Sequence, residues 1–75
     1  MVTAFILATV KSGTDKSVIE KLRKMSEVRE AANVYGDYDI VMKIEVKNLS
    51  DLDKLVHNKI RKLPEVVSTI TMIGL

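Results

Sequence analysis

The sequence predicts an α+β domain: four strands in one antiparallel sheet with two helices on one face, in the chain order βαββαβ. Three observations carry this expectation. The chain repeats itself at an offset of 38 residues, so that Arg23-Lys24-Met25-Ser26-Glu27-Val28 lies on Arg61-Lys62-Leu63-Pro64-Glu65-Val66. Each copy reads as a β-branched or alternating run, then a run of helical period, then a second β-branched run. And 75 residues suffice for one domain only, spanning residues 1–75.

Residues 2–10 are apolar and β-branched until Lys11, Ser12 and Gly13 break the run, which makes a strand and its loop. A helical period starts at Thr14, with Val18, Leu22 and Met25 on one face and Ile19 beside them. Thr14 or Asp15 is its N-cap, and it ends near Ser26. Residues 28–35 and 39–46 form a hairpin, the second arm alternating Ile40, Met42, Ile44 and Val46 with Val41, Lys43 and Glu45. The next helix carries Leu52, Leu55, Val56, Ile60 and Leu63 as its stripe. Ser50 and Asp53 have capping-box spacing before it, and Pro64 stops it. The last strand is Val66 to Ile73.

Right-handed crossovers place the first and third strands in the centre and the second and fourth on the edges, which is the ferredoxin-like plait. A two-residue turn at Gly36-Asp37 pairs Asn33 with Ile40 and Ala31 with Met42, mixing polar and core residues. The preferred register therefore pairs Val34 with Ile40, Ala32 with Met42 and Val28 with Val46, and opposes Arg29 to Glu45. It makes Gly36 the residue of positive φ and sets Tyr35 beside Asp39. On this phase the open face of the sheet carries Phe5, Leu7, Val41, Val67 and Ile73 among Thr3, Thr9, Thr69, Thr71, Lys43 and Glu45. Those five apolar residues are the expected oligomer interface, because large apolar side chains on one open surface mark association.

Composition narrows the function. A chain this small is marginal on its core alone, and the absence of cysteine removes disulfides, zinc fingers and thiol chemistry, so self-association is the staple left. The longest apolar run is far short of a membrane span and no charged segment precedes it, so a cytoplasmic location is expected. Twelve basic residues against ten acidic give a net charge of +2, too mild for a nucleic-acid footprint. The local clusters Lys21, Arg23, Lys24 and Lys59, Arg61, Lys62 fall in last helical turns, where cations complement the helix dipole. His57 stands alone and occupies the repeat position of Ile19, which reads as a partly buried helix residue. No catalytic or metal-binding spacing occurs, so neither an enzyme nor a cofactor or metal is expected. Lys11-Ser12-Gly13-Thr14 precedes a helix and is read as a turn.

The polar group that stands out is Tyr35-Gly36-Asp37-Tyr38-Asp39, which gathers two carboxylates, two of three aromatics and a glycine. A carboxylate accepting from an ammonium, with backbone N–H groups donating to a carboxylate, suits a small zwitterion. An ordinary hairpin explains Gly36 and Asp37 but has less to say about Asp39 inside the strand.

That run, with Leu63-Pro64-Glu65-Val66 and the closing Thr69-Ile70-Thr71-Met72-Ile73, resembles the effector-binding RAM domain of the Lrp/AsnC transcription regulators over the whole chain. The resemblance implies a sensor with a free amino acid as effector, dimerised through its sheets, its dimers assembled into rings with ligands at the contact between dimers. On this resemblance Tyr35, Gly36, Asp37 and Asp39 match the hairpin motif and Thr69 and Thr71 the last strand, and these six are the candidate ligand-binding residues. Family members begin with a helix-turn-helix domain, whereas this sequence starts at the first strand. A stand-alone form is therefore expected, without direct DNA binding, acting through its ligand or through mixed assembly with full-length Lrp/AsnC regulators. Among other users of the plait, an RNA-recognition domain needs aromatics on the central strands and a metal chaperone needs cysteines. An ACT-like amino-acid-binding module, or a small dimeric enzyme, remains the alternative.

Overall fold

The computed structural model describes residues 1–74. Strand β1 (Val2–Val10), helix α1 (Asp15–Arg23), strands β2 (Val28–Asn33) and β3 (Ile40–Val46), helix α2 (Leu49–Leu55) and strand β4 (Val66–Ile73) follow in order. The sheet order β2-β3-β1-β4 is antiparallel throughout, so the two halves of the repeat meet at the central β3–β1 pair and the plait is as expected. No helix among the described residues is long and apolar enough to cross a membrane.

The core lies between the sheet and the helices. Ala4, Ile6 and Ala8 of β1 and Ile40, Met42 and Ile44 of β3 alternate inward and are essentially without solvent exposure. Val18 and Leu22 of α1 close on them from one side, Leu55 and Ile60 from the other. Each such large aliphatic side chain contributes about 1.5–3 kcal/mol by leaving water.

Helix α2 departs from the expected single run in two ways. Its N-cap is Asn48, whose Oδ1 accepts the Asp51 N–H at 2.8 Å, rather than Ser50 with Asp53. After Leu55 the helix widens into a π turn at Val56–Ile60. Leu52, Leu55, Val56 and Ile60 are buried, and His57, at the repeat position of the buried Ile19, points outward instead of being partly buried.

Both edge strands contain a bulge, and each overturns an expected facing. In β2 the extra residue is Arg29: Val28 faces Ile44, Glu30 faces Lys43, and Ala31, Ala32 and Asn33 face Met42, Val41 and Ile40. The expected pairs Val34–Ile40, Ala32–Met42 and Val28–Val46 are therefore wrong. An extra residue lets Val28 and Ala31 both face the helices although they are three apart. The observed pairs Asn33–Ile40 and Ala31–Met42 are those set aside for mixing polar and core residues, and Asn33 is accommodated by donating from Nδ2 to Asp15 Oδ2 at the start of α1. Arg29 and Glu45 still meet, with Nε and Oε2 3.8 Å apart.

In β4 the extra residue is Val67, which lies between the pairs Val10–Val66 and Thr9–Ser68. Beyond it the phase is the reverse of the expected one. Met72 pairs with Phe5 and Ile70 with Leu7 on the open face, while Ile73, Thr71 and Thr69 pair with Ala4, Ile6 and Ala8 on the helix side.

Candidate functional site

The β2–β3 connection is built by its backbone. Val34 N–H donates to Asp39 O at 2.9 Å, which leaves Tyr35 to Tyr38 as a four-residue loop. Gly36 takes φ +116°, a conformation open to glycine and strained for other residues. Val34, not Tyr35, is thus the neighbour of Asp39 across the hairpin, and Tyr35 projects fully into solvent.

Asp39 is fixed from two directions. Its N–H donates to Ala8 O at 3.0 Å, and its Oδ2 accepts the Val10 N–H at 2.9 Å. The side chain continues the β3–β1 ladder where β1 turns away toward α1. It also lines a shallow polar cleft of about 200 Å³ with Lys11, Ser12 and Gly13. That loop is the turn expected from its sequence: Gly13 has φ +81°, and Thr14 N–H and Oγ1 both donate to Lys11 O.

The six candidate ligand residues do not converge within one chain. Tyr35, Gly36 and Asp37 form the tip of the β2–β3 hairpin, Asp39 stands on the central β3–β1 pair against Ala8, and Thr69 and Thr71 belong to edge strand β4, Thr69 pairing with Ala8 from the other side. Thr69 and Thr71 also lie on the helix side of the sheet rather than the open side, because of the Val67 bulge. Thr71 lines a cleft of about 680 Å³ between α2 and β4, together with Leu49, Leu52, Val56, His57 and Arg61. This cleft was not read from the sequence; the signal available was the repeat, which sets His57 and Arg61 on Ile19 and Arg23.

Of the five expected interface residues, Phe5, Leu7 and Val41 lie on the open face. Ile73 does not, and Val67 is the exposed bulge residue. Ile70 and Met72, both close to half exposed, take the place of Ile73 and join Phe5 and Leu7 in an apolar strip.

Besides Arg29–Glu45, two ion pairs related by the repeat tie the halves together. Lys21 Nζ stands 2.6 Å from Glu65 Oε2, and Lys59 Nζ stands 3.1 Å from Glu27 Oε2. The Lys21 ammonium, followed by the residue's own backbone N–H, holds the Glu65 carboxyl below its ordinary range. For Glu27 its own backbone N–H leads and Lys59 follows, with the same direction.

The described residues thus form a ferredoxin-like plait with a polar glycine hairpin at one corner of the sheet. Residues 3–75 match the Lrp/AsnC ligand binding domain, and the chain belongs to that family. It is 42% identical over 72 residues to the HTH-type transcriptional regulator FL11 of Pyrococcus horikoshii, a match covering 96% of this chain and 47% of that one. The structure of E. coli AsnC superposes with a TM-score of 0.93 at 35% identity, over 99% of this chain and 50% of AsnC. The crystal structure of FFRP-DM1 superposes with a TM-score of 0.98 at 51% identity over the whole of both chains. The chain spans about half the length of the curated relatives it matches.

Proposed function

We propose that this Lrp/AsnC domain is an amino-acid sensor that works as an assembly, with the effector held where two chains meet. The observation that supports the reading is where its candidate residues stand: a carboxylate fixed on the central β3–β1 pair beside an open cleft, an exposed hairpin tip of Tyr35, Gly36 and Asp37 beyond it, and the two threonines on the helix side of edge strand β4. A site that uses both the projecting hairpin tip and the threonines takes them from different chains. In it Asp39, with Oδ2 held by Val10, accepts from the α-ammonium through its remaining capacity. Backbone N–H groups around Gly36 and Asp37 face the α-carboxylate, Tyr35 forms a wall, and Thr69 and Thr71 of the neighbouring chain complete the polar contacts. The apolar strip of Phe5, Leu7, Val41, Ile70 and Met72 supplies the first level of association, sheet on sheet.

A thermal-shift screen of the twenty amino acids tests this. A ligand that binds only the native state, present at a hundred times its Kd, adds about 2.7 kcal/mol, which is roughly 10–20 °C in Tm for a domain of this size. Asp39→Asn, which keeps an oxygen for the Val10 N–H but removes the charge, should weaken binding by about ten- to a hundredfold with the fold intact. If no amino acid moves Tm, or if Asp39→Asn binds as the native chain does, the effector site is wrong. Leu7→Lys should lower the mass seen by light scattering, and a native chain that is monomeric at micromolar concentration removes the assembly.

A further inference from the structure

The two edge strands hold the same place in the repeat, yet their free edges differ. Val34 N–H donates to Asp39 O, so Ala32 turns its backbone toward β3 while Ala31 and Asn33 turn theirs outward. At the other edge Gly74 N–H donates to Thr3 O at 2.7 Å, so Met72 and Ile70 bond β1 while Thr69, Thr71 and Ile73 turn their N–H and C=O groups outward. Thr69 and Thr71 are the repeat positions of Ala31 and Asn33.

The edge at β2 is closed to addition. It is six residues long and carries Arg29 and Glu30, α1 packs along it, and Arg23 Nη2 donates to its outward Ala31 O at 3.1 Å. Short length, charge and cover are the devices that keep edge strands from pairing. None of them recurs at β4, which has eight residues, none charged and none buried, and little contact with α2. Arg61, at the repeat position of Arg23, has no side-chain hydrogen bond or ion pair among the described residues, and no side chain among them donates to Thr69 O, at the position of Ala31 O.

A long, uncharged and uncovered edge is a template for one more strand. We infer that β4 receives an extended segment of another protein as an added strand, with apolar residues on its open-face side and a carboxylate on its helix side.

The two flanks of the edge set that chemistry. On the open face Ile70 and Met72, 45% and 47% exposed, carry the apolar strip out to the rim of the sheet. On the helix side Thr71 lies in the α2–β4 cleft with Asp53, His57 and Arg61. Asp53 is taken by His57 at 3.2 Å, which leaves Arg61 as the cation to be matched. A carboxylate opposite Thr71 meets it. The β4 strand of a second copy does not, since it has no acidic residue and leaves both arginines unpaired. Sheet-on-sheet packing covers the open face and leaves this edge free. The added strand bonds the backbone of Thr69 and Thr71 rather than their hydroxyls, so the inference does not rest on the effector reading.

Fluorescence anisotropy on the native chain tests it. The probe is a labelled synthetic peptide of about ten residues, alternating valine with threonine, with one central threonine replaced by glutamate; its control has lysine there. The glutamate peptide should bind about tenfold or more tighter than the lysine peptide, and Arg61→Glu should reverse that order. Thr71→Pro removes an outward N–H where an edge strand accepts proline, so it should abolish binding of both peptides with the circular dichroism unchanged. Amide exchange on the native chain is a second measurement that needs no variant: the glutamate peptide should slow exchange at Thr69, Thr71 and Ile73 and leave Ala31 and Asn33 as they were. No binding, equal affinity for the two peptides, or protection at β2 instead of β4 overturns the inference. So does a native chain whose mass by light scattering falls with Thr71→Pro in the absence of peptide, because a second copy then fills the edge.

Discussion

In the first half of the chain Lys21 reaches across to Glu65, and in the second half Lys59, 38 residues on, reaches back to Glu27, which is 38 residues before Glu65. The bulges at Arg29 and Val67 are related in the same way, as are the buried pairs Val18 with Leu22 and Val56 with Ile60. These shared parts hold the domain together: strand ends are tied to helix ends, and two helical stripes are pressed on one sheet. The halves part company at Ile19 and His57, at Asn33 and Thr71, and in the π turn that only the second contains. In the first half those positions are packed or bonded; in the second, His57 and Thr71 are exposed. The copies thus agree where the sheet and helices press together and differ along the outer side of one helix, where the core places no demand.

The sharpest way to break the shared part is to empty it. Leu22 and Ile60 occupy the same place in the two halves and both are wholly buried. Leu22→Ala and Ile60→Ala should each cost about 2–5 kcal/mol in a urea titration, with similar values for the two. For a marginal domain of 75 residues this is a large part of the total. A much smaller loss at Ile60 means that the π turn repacks into the space, and the core is then less symmetric than the repeat suggests.

Helix starts come next. Asn48 bonds the Asp51 N–H through its side chain, whereas Thr14 spends its hydroxyl on Lys11 O in the preceding turn and caps nothing in α1. Asn48→Ala should therefore cost about 1 kcal/mol and Thr14→Ala less, measured by the same titration. Equal losses mean that the two helices are started alike.

The topology, the core faces of β1 and β3 and the hairpin glycine were all legible, because a period of two in Ile40, Met42, Ile44 and Val46 and a period near four in Val18, Leu22 and Met25 each admit one reading. The edge strands were misread for one reason. A bulge adds a residue without adding a signal to the alternation, and beyond it every side chain changes face. The clue lay in Val28-Arg29-Glu30-Ala31, where two adjacent charged residues separate two apolar ones, and in Val66 to Thr69 at the same spacing. For the candidate site, sequence brought together Asp39 and the threonines by motif alone. That one stands on the central strand pair and the others on the helix side of an edge strand is a property of strand order and register, which no short motif encodes.

The smallest expected effects concern the ion pairs, and they decide whether the two halves are coupled equally. Both glutamates have carboxyls held below the ordinary 4.5, so at acid pH the unfolded chain takes up protons first. Their contribution is therefore fully present above about pH 4.5 and is lost as pH falls through the lower folded values. Lys59→Met should cost at most about 1 kcal/mol near neutrality, because the pair is partly exposed to water and salt. Lys21→Met acts in the same direction. Two features identify the effect as ionic in a series of melts: the gap between variant and native chain narrows below pH 4.5, and it narrows again when salt is raised at neutral pH. A gap that ignores both pH and salt assigns the loss to the packing of the lysine stem instead. If only one of the two variants responds, the cross-tie between the halves is one-sided, and the second pair is a surface contact that the domain does not use.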